Sequence, residues 1–229
     1  MEKKVSRRQF LKASVTAGAM LTAGNLLTGQ RNLAFAKELP TIPLSKPQAG
    51  SGHVLQLLGK RASSREFSPE PLPLAVLSSL VWAAFGINRS DGRRTAPSAS
   101  NRQEIDVYIA TQDGLYLFDA KASLLKPILA EDIRKLTGTQ PYVGQAAVNL
   151  VYVADMLKMS GLADEQKTFL AAADTGFISE NVYLYCAAEG LATVVRASMD
   201  KVELAKVMKL RPEQVITLAQ SVGYPKKKV

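Results

Sequence analysis

Ile105-Asp106-Val107-Tyr108-Ile109-Ala110-Thr111-Gln112-Asp113-Gly114-Leu115-Tyr116-Leu117-Phe118 reads as two strands and the turn between them. Residues 105–111 alternate, with Val107 and Ile109 on one side, and residues 115–118 form the second strand across Gln112-Asp113-Gly114. Alternation of this kind around a Gly-containing turn is a hairpin signal. Working outward, further strands are expected at 147–153, 193–196 and 214–222. Helices are expected at 53–60, 73–85, 131–136, 164–172, 180–191 and 202–208. The 73–85 helix has Pro in its first turn, an apolar stripe of Leu74, Leu77, Leu80, Val81, Ala84 and Phe85, and Gly86 as a stop. A break is expected around Asp174-Thr175-Gly176, and residues 88–101, with Asp91-Gly92 and Pro97, read as a loop. Helices and strands mix without a regular βαβ repeat, which argues for an α+β fold.

The 229 residues are 47% hydrophobic and 21% charged, the composition of a chain with a packed core. Pervasive disorder needs far fewer apolar residues. A net charge of +9 raises the question of nucleic acid. Yet Lys3, Lys4, Arg7, Arg8, Lys12 and Arg31 stand against Glu2 alone in residues 1–36, and three more lysines close the chain at Lys226, Lys227 and Lys228. The body is close to balanced, so no nucleic-acid partner is expected. Cys186 is the one cysteine and His53 the one histidine, which excludes an intramolecular disulfide and argues against a zinc or haem site. Within Tyr183-Leu184-Tyr185-Cys186-Ala187-Ala188 the thiol reads as a small hydrophobe on a buried helix face.

Residues 1–36 read as an address. Ser6-Arg7-Arg8-Gln9-Phe10-Leu11-Lys12 precedes a weakly apolar run over 13–27, and Ala34-Phe35-Ala36 has the small-x-small pattern of a cleavage site. That run is shorter than the roughly 20 residues a membrane span needs. The paired arginines resemble a twin-arginine signal. The resemblance implies passage through the Tat translocase to the periplasm or cell envelope, in folded form and with any cofactor already in place. Residues 37–52, with Pro40, Pro43 and Pro47, read as a linker or arm, and 53–229 as one domain.

The chain has no Gly-rich phosphate loop, no His-containing triad and no recognisable catalytic carboxylate pair. Arg61-Ala62-Ser63-Ser64-Arg65 sets two guanidiniums four residues apart with hydroxyls between. Arginine grips phosphate oxygens by charge-assisted, often bidentate bonds, so the pattern suits a phosphate monoester; a solvated basic turn is the competing reading. Pro97-Ser98-Ala99-Ser100-Asn101-Arg102-Gln103 is a polar loop whose amides suit a planar ring with donors and acceptors, and otherwise reads as ordinary surface. Asn181-Val182-Tyr183-Leu184 leads through Ala188-Glu189-Gly190-Leu191, and Gly223-Tyr224-Pro225 stands near the end.

In this order the four segments resemble the nitroreductase family, from about residue 53 to 228. The segment Leu80-Val81-Trp82-Ala83-Ala84-Phe85-Gly86-Ile87-Asn88, with Arg94-Thr95-Ala96-Pro97-Ser98, looks most like the SagB-type branch, named for the streptolysin-biosynthesis dehydrogenase. The resemblance implies a nitroreductase-like α+β fold, with a central mixed or antiparallel sheet flanked by helices, and FMN held between the subunits of a homodimer. It places Arg61, Ala62, Ser63 and Arg65 at the flavin phosphate and the ring's polar edge, with Ser98 and Asn101 facing the isoalloxazine. It also sets Val195, Arg196 and Ala197 near the reactive ring nitrogen, and Lys226 and Lys227 at the phosphate. The chemistry it implies is ping-pong transfer through FMN to or from a small organic substrate, with no catalytic side chain. A flavin-binding interaction protein and a peptide-modifying, azoline-type dehydrogenase are the competing functional readings.

Overall fold

The computed structural model describes residues 53–227, so the expected signal (1–36) and linker (37–52) lie outside the described residues. Four helices, α1 (His53–Lys60), α2 (Leu74–Phe85), α3 (Asp164–Glu189) and α4 (Lys201–Val207), accompany six strands. These are β1 (Ile105–Ala110), β2 (Leu115–Asp119), β3 (Leu124–Leu129), β4 (Val148–Asp155), β5 (Ala192–Arg196) and β6 (Gln214–Gly223). They form one sheet in the order β3-β2-β1-β4-β6-β5, and every neighbouring pair is antiparallel.

Every residue of β4 is buried, because both faces of the sheet are covered. On one face Val107 and Ile109 of β1 and Leu150 and Tyr152 of β4 pack with Leu80 and Phe85 of α2 and Ile178 and Val182 of α3. On the other, Tyr108, Val151, Val153 and Ile216 pack with Leu204 in the middle of α4 and Met208 just beyond its end. The period-two alternation of the strands thus feeds two apolar layers rather than one.

Three elements differ from the sequence expectation. The helix expected to break at Asp174-Thr175-Gly176 is the continuous α3. Gly176 costs only about 1 kcal/mol against alanine in a helix. Thr175 Oγ1 bonds back to the Ala171 carbonyl (2.7 Å), and burial of Ala171, Ile178, Val182 and Cys186 carries the helix through. Strand β3 was not anticipated, since Pro127 argues against a strand; it is tolerated because β3 is an edge. The helix expected at 131–136 is only a single 3-10 turn, Arg134–Thr137, capped by no side chain at its N-terminus.

Two caps set the ends of α3. Asp164 and Glu165 in the first turn complement the helix dipole, and the Gln166 side chain accepts from the Ala163 N–H (3.2 Å). Gly190 ends it in the left-handed conformation (φ 67°), donating its N–H to the Cys186 carbonyl.

Ile178 is fully buried where α3 meets the sheet, whereas Val202 is 83% exposed. Ile178→Ala is expected to lower unfolding free energy by about 2–5 kcal/mol, and Val202→Ala to stay within about 0.5 kcal/mol of wild type. Chemical denaturation of the two variants checks the contrast.

Candidate functional site

Segment 61–67 runs along the outer edge of β5. Ser64 N–H donates to the Thr193 carbonyl (2.9 Å), Lys226 N–H to the Glu66 carbonyl (3.2 Å), and Phe67 bridges Pro225. Phe67 is buried with Ala192 and Val194, so an apolar anchor fixes the basic segment in place. Arg61, Ser63, Arg65, Lys226 and Lys227 are thereby gathered on one side of the molecule. Among the described residues none of these four cations joins a salt bridge. A cavity of about 250 Å³ opens along the same segment, lined by Lys60, Ala62, Ser64, Tyr183 and Thr193, while Lys226 and Lys227 line a separate depression with Ser68 and Glu70.

Tyr183 of α3 organises this edge. Its hydroxyl bonds Ser63 Oγ (2.8 Å) and accepts from Val195 N–H (3.0 Å), while the Arg61 guanidinium lies 5.2 Å from its ring centre. Cation–π contact and hydrogen bonds hold Arg61 and Ser63 in position before any ligand arrives. The Val195 N–H is already used within the protein, and Ala197, two residues further on, is exposed.

The Arg196 side chain does not face this edge. It shares the sheet face of Ala192 and Val194, 7% exposed, and donates to Ser221 Oγ (2.8 Å), Thr137 Oγ1 (2.7 Å) and Asn149 Oδ1 (2.9 Å). All three partners are neutral, and burial pushes the guanidinium down to about 10, still charged at neutral pH. Its Nε lies against Gly138, where a Cβ would sit only 2.4 Å away, so only glycine leaves room. Arg196 therefore ties the 134–145 segment to β4, β5 and β6. Sequence reading placed its backbone near a ligand and gave no sign of this buried role, because the neutral partners are 25 to 59 residues away.

Ser98 and Asn101 stand elsewhere. Ala99 N–H donates to Asp174 Oδ2 of α3 (2.8 Å), pinning the loop to that helix. Ser98 Oγ accepts from Gln103 N–H (2.9 Å), and Gln103 Nε2 donates to Asn101 Oδ1 (3.0 Å), leaving the Asn101 amide nitrogen to donate outward. Gln103 Oε1 in turn accepts from Arg94 Nε (2.8 Å), whose guanidinium lies 4.4 Å from the Phe85 ring centre. Ser100 (φ 52°), Asn101 (φ 54°) and Gln103 (φ 49°) all hold the left-handed conformation, at about 1–2 kcal/mol each. Such strain persists where surroundings over-determine it, as this network does. A depression of about 510 Å³ lies outside, lined by Arg89, Arg93, Arg94, Ser98 and Asn101.

Beneath the loop, Glu104 is wholly buried, and neither carboxylate oxygen has a hydrogen-bond partner among the described residues. Burial first, and then the adjoining Asp174, raise it to about 7. Tyr183, Asp174, Arg94 and Glu104 also shape the candidate site, and sequence reading gave none of them a role in it; the Gln103 amide, read there as suited to a ring, is instead spent on Arg94, Gly92 and Asn101. Asp174 and Tyr183 are nine positions apart on α3, about 13–14 Å at 1.5 Å per residue. The structure thus joins Arg61, Ser63 and Val195 through Tyr183, ties Lys226 to the Arg65-bearing segment at the Glu66 carbonyl, and holds Ser98 and Asn101 at a second station along the same helix.

The nitroreductase family profile matches residues 58–224. A curated Methanocaldococcus jannaschii protein described as a nitroreductase is 24% identical over 181 residues, which span 75% of this chain and 91% of that protein. Among solved structures, one described as a nitroreductase from Ralstonia eutropha JMP134 is 41% identical, with 81% of this chain and 89% of that one covered and a TM-score of 0.74. The NADPH:FMN oxidoreductase of Vibrio harveyi, solved with NAD+, shares the fold at 18% identity, with 77% and 70% coverage and a TM-score of 0.57. With an α+β antiparallel fold, the basic segment on β5 and the polar loop on α3 all in place, the family match settles the identity at the level of family: this chain belongs to the nitroreductase family, whose members are oxidoreductases.

Proposed function

We propose that this chain is an FMN-dependent oxidoreductase that works as a homodimer and is exported folded through the Tat route. The observation that carries the reading is the basic edge: Arg61, Arg65, Lys226 and Lys227, in no salt bridge among the described residues, with the Ser63 hydroxyl, on two segments joined beside β5. A phosphate carries nearly two negative charges and three acceptor oxygens at neutral pH, and this donor set fits it. Glu66 is exposed in the same segment and pairs with none of the four cations among the described residues.

FMN, when bound, would supply the redox chemistry of a ping-pong hydride transfer between a donor and an acceptor. The protein's own residues bind and orient. Arg61, pre-set over Tyr183, and Arg65 hold the phosphate with Lys226 and Lys227. The Asn101 amide, steered by Gln103 and Arg94, donates to a ring acceptor, with Ser98 beside it. The exposed Ala197, with the main chain of Val195 and Arg196 before it, would lie near the ring, the Val195 N–H itself being held by Tyr183. The separation of the two stations along α3 favours a site completed by a second copy, whose loop meets the basic edge of the first.

Export bears on the donor, since NAD(P)H is scarce outside the cytoplasm. A quinol, a redox protein or an organic substrate undergoing dehydrogenation suits that location, as does the SagB-like character of residues 80–98.

The full chain, produced in the cytoplasm, is expected to be yellow and to release FMN on denaturation; a colourless folded protein that takes up no FMN overturns the reading. Each charge-assisted phosphate contact is worth about 1.5–3 kcal/mol, so Arg61→Ala and Arg65→Ala should each weaken FMN binding about 10- to 100-fold, measured by fluorescence titration. Co-expression of an Arg61→Ala/Arg65→Ala chain with an Asn101→Ala chain should restore activity in the mixed dimer, because one of its two sites is intact. Arg7→Lys/Arg8→Lys should retain the protein in the cytoplasm, which cell fractionation tests.

A further inference from the structure

The loop that presents Ser98 and Asn101 rests on an unusual floor. Glu104 follows the loop directly, and its carboxyl is wholly buried with no donor on either oxygen among the described residues. Asp174 of α3, 3% exposed, adjoins it and accepts the Ala99 N–H (2.8 Å). The nearest cation is Lys158, whose ammonium is committed to the Gln103 carbonyl (3.3 Å) and to Asp106 Oδ1 (2.9 Å). Arg102 is turned to the Lys158 and Ser160 carbonyls. Two buried carboxyl groups side by side cannot both be ionised without a severe penalty, whereas one proton between them gives a donor and an acceptor.

We propose that Glu104 is a positioning residue that holds a proton against Asp174, and that this shared proton latches the 98–103 loop in its left-handed, ring-presenting conformation. Glu104 O–H donates to the Asp174 carboxylate, whose other bond fixes Ala99. When the proton leaves to solvent, two negative charges face each other beneath a loop already carrying three left-handed non-glycine residues. The least costly relief is to lift the loop and hydrate Glu104. The floor thus makes presentation of Ser98 and Asn101 depend on pH near neutrality.

The sign follows from linkage. Glu104 is raised from an ordinary 4.5 to about 7 in the closed loop, so the closed form binds more protons than an open, hydrated one. Loop closure is therefore strongest below about pH 4.5, weakens as pH rises toward 7, and levels off above it. The span corresponds to a change in the opening equilibrium on the order of 100-fold.

The latch itself is independent of the flavin reading; only its consequence for cofactor rests on that reading. The test is hydrogen exchange of the Ala99, Asn101 and Gln103 amides in the full chain from pH 5 to 8, expressed as protection factors so that intrinsic exchange is removed. Wild type should lose protection toward pH 7 and then plateau. Glu104→Gln, whose amide donates permanently, should stay protected with a flat profile, and Asp174→Asn should move the midpoint down. A flat wild-type profile, or an unchanged slope in Glu104→Gln, overturns the latch; if Glu104→Gln does not fold, an unmoved midpoint in Asp174→Asn overturns it as well. FMN titration at the same pH values separates the two ideas. Affinity that follows the exchange profile supports the coupled form, while a pH-dependent loop with pH-independent FMN affinity keeps the latch and removes the loop from the cofactor site.

Discussion

Burial of one face of α3 is the constraint from which the rest of the molecule follows. Ala171, Ile178, Val182 and Cys186 pack on α2 and on the face of the sheet formed by β1, β4 and β6. Each fully buried aliphatic side chain contributes about 1.5–3 kcal/mol, enough in sum to carry the helix across Gly176 without a break. Polar contacts then lock its register: Thr175 Oγ1 to Thr217 Oγ1 on β6, the Ser179 carbonyl to Gln220 Nε2, and Tyr185 Oη to the Val76 carbonyl on α2. With register set, Asp174 and Tyr183 have no freedom of position, and each carries one station of the candidate site.

The same scaffold explains why buried polar groups cluster at functional ground. Among the described residues Arg196 is a buried cation bonded to no carboxylate, and Glu104 a buried carboxyl bonded to no cation. Pairing them would have been the cheaper arrangement, but they lie on different faces and serve different segments. Arg196 holds residues 134–145 to the sheet through neutral acceptors, at the cost of desolvation. Glu104 underlies the strained loop, where its proton decides the local charge. Cys186 shows the contrasting case: burial pushes its thiol up to about 12, leaving an inert apolar filler rather than a nucleophile.

Much of the fold was legible because the signals are local. Alternation in 105–118 marks the hairpin β1–β2, the stripe from Leu74 to Phe85 marks α2, and the phosphate-suited spacing of Arg61, Ser63 and Arg65 needs no tertiary knowledge. The continuity of α3 and the existence of β3 were not legible. Asp174-Thr175-Gly176 favours a break and Pro127 favours a loop, and both preferences are outweighed by packing and by position at a sheet edge. The supporting residues were hidden for a further reason. Tyr183 meets Ser63 across 120 positions and Asp174 meets Ala99 across 75, so neither spacing forms a motif.

By itself, then, the order of residues determined the α+β class, the family, and the chemical type of each candidate contact, since those depend on short-range periodicity and on which groups can donate or accept. Tertiary structure alone decided that the segments bearing Arg61, Arg65, Lys226 and Lys227 meet at the edge of β5, while the loop of Ser98 and Asn101 is pinned at Asp174, nine positions along α3 from Tyr183. It alone decided that Arg196 turns inward and that Glu104 and Asp174 adjoin in the interior. The physical reason is that desolvation and charge proximity are properties of a neighbourhood, and a neighbourhood exists only once distant segments have packed together.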